Sequence, residues 1–154
     1  MSEITYRTAA RDDVATLAAL RWAMQVEHGH ASADGGEAAY IATYVAEMRG
    51  EFERGRALAW IAEAGGQAVA SVTLIWWVVP PAVGHPVRRR GQVSNVFTRT
   101  AYRRQGLARH LMRLLLDHAR AEHIQRVVLW SSEMGEPLYR GLGFMPGRGM
   151  QIDM

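Results

Sequence analysis

Arginine, glycine and alanine crowd one short stretch, Arg103-Arg104-Gln105-Gly106-Leu107-Ala108-Arg109, where side chains that bind anions sit beside side chains too small to obstruct one. The stretch stands where the hydrophobic pattern changes period. Gln92 to Thr98 is rich in β-branched and aromatic residues and predicts a strand. From Leu107 the apolar positions Leu107, Leu111, Leu114, Leu115 and Ala119 recur at three and four, which predicts a helix to about Glu122. A helix start carries amide N–H groups without internal partners and about half a positive charge. Gly106 has no Cβ and admits positive φ, and Ala108 is nearly as small, so phosphate oxygens can approach the backbone itself. Arg99, Arg103, Arg104 and Arg109 surround the turn with fixed charge suited to paired phosphate contacts, and a diphosphate is the natural guest.

The segment from Arg103 to Ala108 resembles the Q/R-x-x-G-x-G/A signature of the Gcn5-related N-acetyltransferases, with the preceding strand and Tyr102 in keeping. Downstream, Pro137-Leu138-Tyr139-Arg140-Gly141-Leu142-Gly143-Phe144 resembles the Y-x-x-x-G-F segment of the same family. Two positions depart from the pattern. Ala108 replaces the commoner glycine, and Ser132 sits where many members carry an asparagine. The resemblance implies acetyl-CoA as co-substrate, its pantetheine arm paired along the backbone of Val96, Phe97 and Thr98. Its pyrophosphate would lie on the amides of Arg103, Arg104, Gln105, Gly106, Leu107 and Ala108, with Arg104 and Arg109 as side-chain partners. That pairing requires no particular side chain at Phe97, whose first reading is a core aromatic.

Acetyl transfer to an amine needs a neutral amine, a polarised carbonyl and a proton for the departing thiolate. By the resemblance Tyr139 is the acid; a phenol near pKa 10 keeps its proton at neutral pH and can hydrogen-bond a forming thiolate. The proton acceptor is open between a carboxylate, a histidine and a chain of waters, with Glu133 the first choice. Asn95, polar in an apolar strand, either orients the acceptor or satisfies a hydrogen bond in the core. Glu27 and His28 either border the acceptor cleft or form an ordinary polar helix end. Trp60, Trp76, Trp77 and Trp130 either wall the acceptor site or, for at least two of them, pack in the core.

Composition narrows the remaining classes. The chain has 154 residues, 49% hydrophobic and 21% charged, which suits one domain over residues 1–154. No apolar run approaches the ~20 residues that span a bilayer, and the first residues lack the basic start and apolar core of a secretion signal. A cytoplasmic protein with no membrane association is expected. Cysteine is absent, which removes thiolate metal sites and an acyl-cysteine intermediate, so acyl transfer is expected to be direct in a ternary complex. The six histidines form no helical pair with a carboxylate, and no metal site is expected. Every formal positive side chain is arginine, yet the net charge is only +3, which argues for a local anionic ligand over nucleic acid. The acceptor is expected to be a small-molecule or peptide amine. The competing class is a non-catalytic acyl-CoA-binding sensor or an RNA-binding module on the same fold. A homodimer is plausible through exposed apolar residues near the last strand.

The elements that must position these residues follow from periodicity and punctuation. Ile4 to Arg7 predicts a strand; Asp12 caps a first helix that runs through Val14, Leu17, Leu20 and Met24 toward Gly29; His28 to Gly36 is a loop. Glu37 to Arg54 predicts a second helix with Tyr40, Ile41, Tyr44, Val45, Met48 and Phe52 on its packing face. Ala57 to Glu63 and Gln67 to Trp77 predict an antiparallel hairpin through Ala64-Gly65-Gly66, and Pro80 to Arg90 a long loop. Arg126 to Ser131 predicts a strand parallel to the Gln92–Thr98 strand, followed by a short helix holding Tyr139 and a last strand within Gly147 to Met154. The expected fold is α/β: a central mixed, mostly antiparallel sheet with one parallel strand pair, flanked by helices, as the resemblance to the acetyltransferases also implies.

Overall fold

In a computed structural model, which describes residues 2–154, five strands form one sheet in the order of the chain. Strands β1 (Ile4–Thr8), β2 (Ala57–Ala64), β3 (Gln67–Val79) and β4 (Arg88–Thr98) pair antiparallel, and β5 (Arg126–Val128) joins β4 in parallel. Helices α1 (Val14–Glu27) and α2 (Glu37–Glu53) precede β2, α3 (Leu107–Ala121) connects β4 to β5, and α4 (Glu136–Gly141) follows. Glycines Gly65 and Gly66, at φ +57° and +78°, supply the left-handed backbone of a tight hairpin between β2 and β3.

The main core lies between the sheet and α3, whose Leu107, Leu111, Met112, Leu115 and Ala119 are buried against Val69, Val72, Leu74 and Val93. Each fully buried leucine of this kind stabilises the fold by about 1.5–3 kcal/mol, so this interface fixes where the start of α3 stands relative to β4. A smaller cluster of Leu17, Ala59 and Ile61 covers the opposite face beneath α1, with Tyr44 and Phe52 of α2 packed on it. None of the α2 residues is fully buried, so α2 forms an outer layer.

Several boundaries differ from the sequence expectations. The N-terminal end of α1 is preceded by a 3-10 turn at Arg11–Asp13, and the carboxylate that reaches back to the Ala10 amide (2.6 Å) is that of Asp13, not Asp12. The β3–β4 hairpin continues to Val79 and Arg88, so the loop is confined to residues 80–87. By contrast β5 stops at Val128, because only Arg126–Val128 meet β4 before the two strands diverge. The segment after Phe144 forms no strand; Gly147 and Gly149 raise the entropic cost of ordering it, and a three-residue β5 offers little edge. Met145, Met150 and Ile152 are exposed there, as is Trp130, whose indole N–H donates to the Gln151 side-chain oxygen at 3.2 Å.

Candidate active site

The sheet opens where the sequence motifs meet. On one side β4 pairs with β3 along its length; on the other it has no partner among the described residues beyond Gln92. Within the open part the β3–β4 register slips: Thr73 faces Ser94 but Ser71 faces Phe97, so β4 carries one extra residue. Asn95 takes up the excess with φ +55°, a conformation that asparagine tolerates better than most residues. Its buried amide is bonded at both ends: the oxygen accepts from Arg21 Nη1 at 2.8 Å, and the nitrogen donates to the Tyr44 hydroxyl at 3.2 Å. Burial pushes the Tyr44 phenol up to about 12, so it remains protonated. The bulge is thereby tied to both α1 and α2.

Beyond Thr98 the chain makes a 3-10 turn at Thr100–Tyr102 and enters α3 through Arg104 at φ +63° and Gly106 at φ +83°. Among the described residues, the next amide after Arg103 with a protein acceptor is that of His110, which donates to the Gly106 carbonyl at 3.0 Å. The intervening amides are thus open, and the space a Cβ would fill at Gly106 is empty. Arg104, Gln105 and Arg109 are exposed around this turn; Leu107 is buried and anchors it. Arg103 is used differently. Its Nε donates to the Thr98 carbonyl at 2.9 Å and its Nη2 to Glu27 Oε2 at 2.6 Å, so it clamps the turn to the end of β4 and to α1. The hydrogen bond from Arg103 holds the Glu27 carboxyl below its ordinary range.

A cleft of about 130 Å³ lies between these elements, reached by Met24 of α1 and His28 just after it, Val96, Phe97 and Thr98 of β4, and Tyr139 of α4. Pro137 stands in the first turn of α4, and the helix ends in paired bonds: the Gly143 amide donates to the Arg140 carbonyl at 3.0 Å and the Phe144 amide to the Tyr139 carbonyl at 3.0 Å. Gly143 at φ +95° supplies the left-handed residue this closure needs, which explains the spacing of tyrosine, glycine and phenylalanine. The Tyr139 ring is buried, packs edge-on to Phe144 with centroids 6.0 Å apart, and has its phenol pKa raised by burial. It also lies on Gly135, where an added Cβ would come within 2.9 Å of the ring. The sequence does not signal that contact, because a glycine before a helix reads as an ordinary start.

Glu133 is exposed and does not itself line the cleft, although its neighbours Ser132 and Met134 do. Trp60 is buried and Trp76 packs on the main core beside His118, whereas Trp77 and Trp130 are exposed. Among the described residues no cluster of three metal-ligating side chains occurs, and no helix is long and apolar enough to cross a membrane. A larger depression of about 360 Å³ lies between α3 and α4, lined by Arg113, Asp117, Arg120 and Gly141 among others, but it includes no residue of β4 or of the glycine turn.

The profile of the Acetyltransferase (GNAT) family matches residues 17–144, a span that holds the open turn, the bulged strand and the tyrosine helix. The chain belongs to the GNAT acetyltransferase family. Over 88 residues, 55% of this chain, it is 34% identical to N-acetyltransferase family 8 member 2 of Rattus norvegicus; the match spans 37% of the rat protein. A GCN5-related N-acetyltransferase from Ralstonia eutropha JMP134 superposes with TM-score 0.83 at 26% identity, covering 99% of both chains. The fold is shared with a predicted acetyltransferase with acetyl-CoA from Clostridium acetobutylicum, at TM-score 0.82, 21% identity and coverage of 98% of this chain and 96% of that one. The GNAT fold expected from the sequence is therefore the fold observed, a five-stranded mixed sheet with one parallel pair and flanking helices.

Proposed function

We propose that this GNAT protein binds acetyl-CoA and transfers its acetyl group directly to the amine of a small molecule or peptide. The observation that carries this reading is the run of unpartnered amides at the start of α3, beside an edge of β4 left free by the divergence of β5. Gly106, with no Cβ and open space above it, admits a pyrophosphate to the amides from Arg104 to Ala108, while the Arg103 amide expected to join them donates to the Thr100 carbonyl at 3.3 Å; Arg104 and Arg109, without a carboxylate partner among the described residues, add charge. The edge of β4 that faces away from β3 between Val96 and Thr98 offers backbone groups for an extended amide-bearing arm, although the Thr98 carbonyl already accepts from Arg103. Bound there, acetyl-CoA supplies an activated thioester carbon.

Tyr139 holds a proton on its hydroxyl, kept there by burial, and delivers it to the sulfur that leaves. Glu133, exposed between two cleft-lining residues and without an ion pair among the described residues, takes the amine's proton through water. Asn95 acts as a positioning residue: it holds the bulge open and fixes Arg21. Titration calorimetry with acetyl-CoA, followed by thiol release against a panel of amines, tests the reading. Saturable binding with amine-dependent thiol release is expected. Binding without turnover against any amine class would favour an acyl-CoA sensor, and absence of binding would overturn the proposal.

A further inference from the structure

Arginine–carboxylate pairs occur on β1 (Arg7), on α3 (Arg120), on α4 (Arg140) and across the cleft (Arg103), but one face of β4 and β5 gathers arginines that have none. Alternation along the unbroken part of β4 sends residues 88, 90, 92 and 94 to the same side. That side is the α1 side, since Arg21 of α1 lies 3.5 Å from the Ser94 hydroxyl. Gly91 points the other way: a Cβ there would meet Leu74, Ile124 and Val127 in the main core. The register then sets Arg126 of β5 and Trp77 of β3 on either side of Arg90. Arg21, Arg88, Arg90 and Arg126 thus share a face, and among the described residues none has a carboxylate within 4.0 Å. Arg89, which points to the opposite side, is paired with Glu122 at 3.5 Å.

This arrangement works against the fold, because like charges directly opposed on neighbouring strands repel. Burial, and then the proximity of Arg88 and Arg126, lower the Arg90 pKa. Most of the donors are unused: Arg90 reaches only the Arg89 carbonyl at 3.5 Å, Arg88 gives one nitrogen to the Pro80 carbonyl at 3.2 Å, and Arg21 spends one guanidinium nitrogen on Asn95 and Ser94. The face ends at the Asn95 bulge, next to the β4 edge assigned above to the acyl donor. Arg90 lies five positions before Asn95, roughly 16 Å at the strand rise, so with the reach of the arginine side chains an anion here lies within a spacer of about three extended residues of the transfer point. Trp77, 41% exposed beside Arg90, offers that spacer an apolar wall.

We propose that the acceptor amine carries an acidic group, a carboxylate or a phosphate, which is held by Arg90 and Arg126 with Arg21 and Arg88 flanking them. The inference rests on the acetyltransferase reading. In the reaction the thioester C–S bond breaks as the amide C–N bond forms; the amine's proton goes to the base and the thiolate is protonated. The acidic group takes no part in these changes and supplies orientation and affinity.

The test uses the full chain and matched amines long enough to bridge that spacing, about 10 Å for three extended residues: triglycine against triglycine amide, and glycylglycyl-phosphoethanolamine against glycylglycyl-ethanolamine. At least one acidic member should exceed its neutral partner in kcat/KM by tenfold or more, the scale of charge-assisted hydrogen bonds, and which one does so separates carboxylate from phosphate. Arg90→Gln and Arg126→Gln should each shrink that preference about tenfold through KM. Equal kcat/KM within both pairs, or variants that keep the wild-type preference, overturns the proposal while leaving the acetyltransferase reading intact. Calorimetry with N-acetyl-triglycine and with N-acetyl-glycylglycyl-phosphoethanolamine, the acidic products, reads the same arginines without chemistry. Affinity for neither, or affinity unchanged in Arg90→Gln, overturns the proposal whatever the turnover. Arg126→Gln should also melt at or above the wild-type temperature, because it relieves repulsion; a lower midpoint would make the arginine structural and overturn it. Failure of acetyl-CoA to bind would instead strike the acetyltransferase reading, and this inference with it.

Discussion

Burial of the Tyr139 hydroxyl disfavours its phenolate, so the phenol stays protonated at neutral pH, the state that the proposed proton donor requires. Tyr139→Phe keeps the ring that lies on Gly135 and faces Phe144, and stability and acetyl-CoA affinity should change little. A donor engaged only as the thiolate forms should show its loss in kcat, by about 10²–10⁴-fold with a nearly constant acceptor KM. A fall of less than about threefold in steady-state kcat would make the tyrosine structural. Glu133→Gln should lower kcat without touching acetyl-CoA affinity, and an unchanged kcat would move deprotonation to water alone. Tyr139 was legible in the sequence because the end of α4 demands a glycine at a fixed distance from it, and such spacing survives as a motif. Arg21 was not legible. A single arginine in an amphipathic helix reads as a solvated side chain, and only the fold brings it to the bulge at Asn95.

The turn into α3 depends on backbone and not on any one side chain, which is why its motif could be read directly from small residues beside arginines. Gly106→Asp would place a carboxylate over the open amides and force a left-handed backbone on a residue with a Cβ. Because Gly106 is exposed and no atom lies within 4 Å of the added Cβ, the fold should survive while calorimetry shows acetyl-CoA affinity lost by about 100-fold or more, the scale of several charge-assisted hydrogen bonds. An unchanged dissociation constant in the folded variant would remove the turn from cofactor binding. Elements set by long-range pairing were harder to read than this local one. Arg88 to Arg90 resemble a solvated loop in sequence, yet they extend β4 because Trp77 to Val79 on β3 continue past the sheet and supply the partner strand. The bulge was invisible for a related reason: alternation around Asn95 records which residues are polar, not that β4 has one residue more than its partner.

At the scale of the whole molecule, β1, the entry to α1 and β2 are fastened by one guanidinium. Arg7 donates to both oxygens of Asp13, at 2.6 and 2.9 Å, and to Glu63 at 2.7 Å, joining the edge of the sheet to the helix layer that carries Arg21, Met24 and Glu27. The hydrogen bonds from Arg7 lower the Asp13 pKa below its ordinary value, whereas the Arg7 pKa is raised and stays out of the accessible range. A depressed folded-state pKa stabilises the native state fully above the unfolded value, about 3.9 for an aspartate, and that stabilisation disappears as pH falls toward the folded value. Glu27, lowered by Arg103, adds a dependence of the same sign. Asp13→Asn isolates the charge, since an amide oxygen can still accept from the Ala10 amide. In urea, which adds no ionic screening, the variant should be less stable than wild type by about 1–3 kcal/mol at pH 7. The gap should close as pH drops below about 4, because wild-type Asp13 then becomes neutral as well. A gap of constant size from pH 7 to pH 2.5 would show that Asp13 holds the N-terminal layer by shape and hydrogen bonding, with no contribution from its charge.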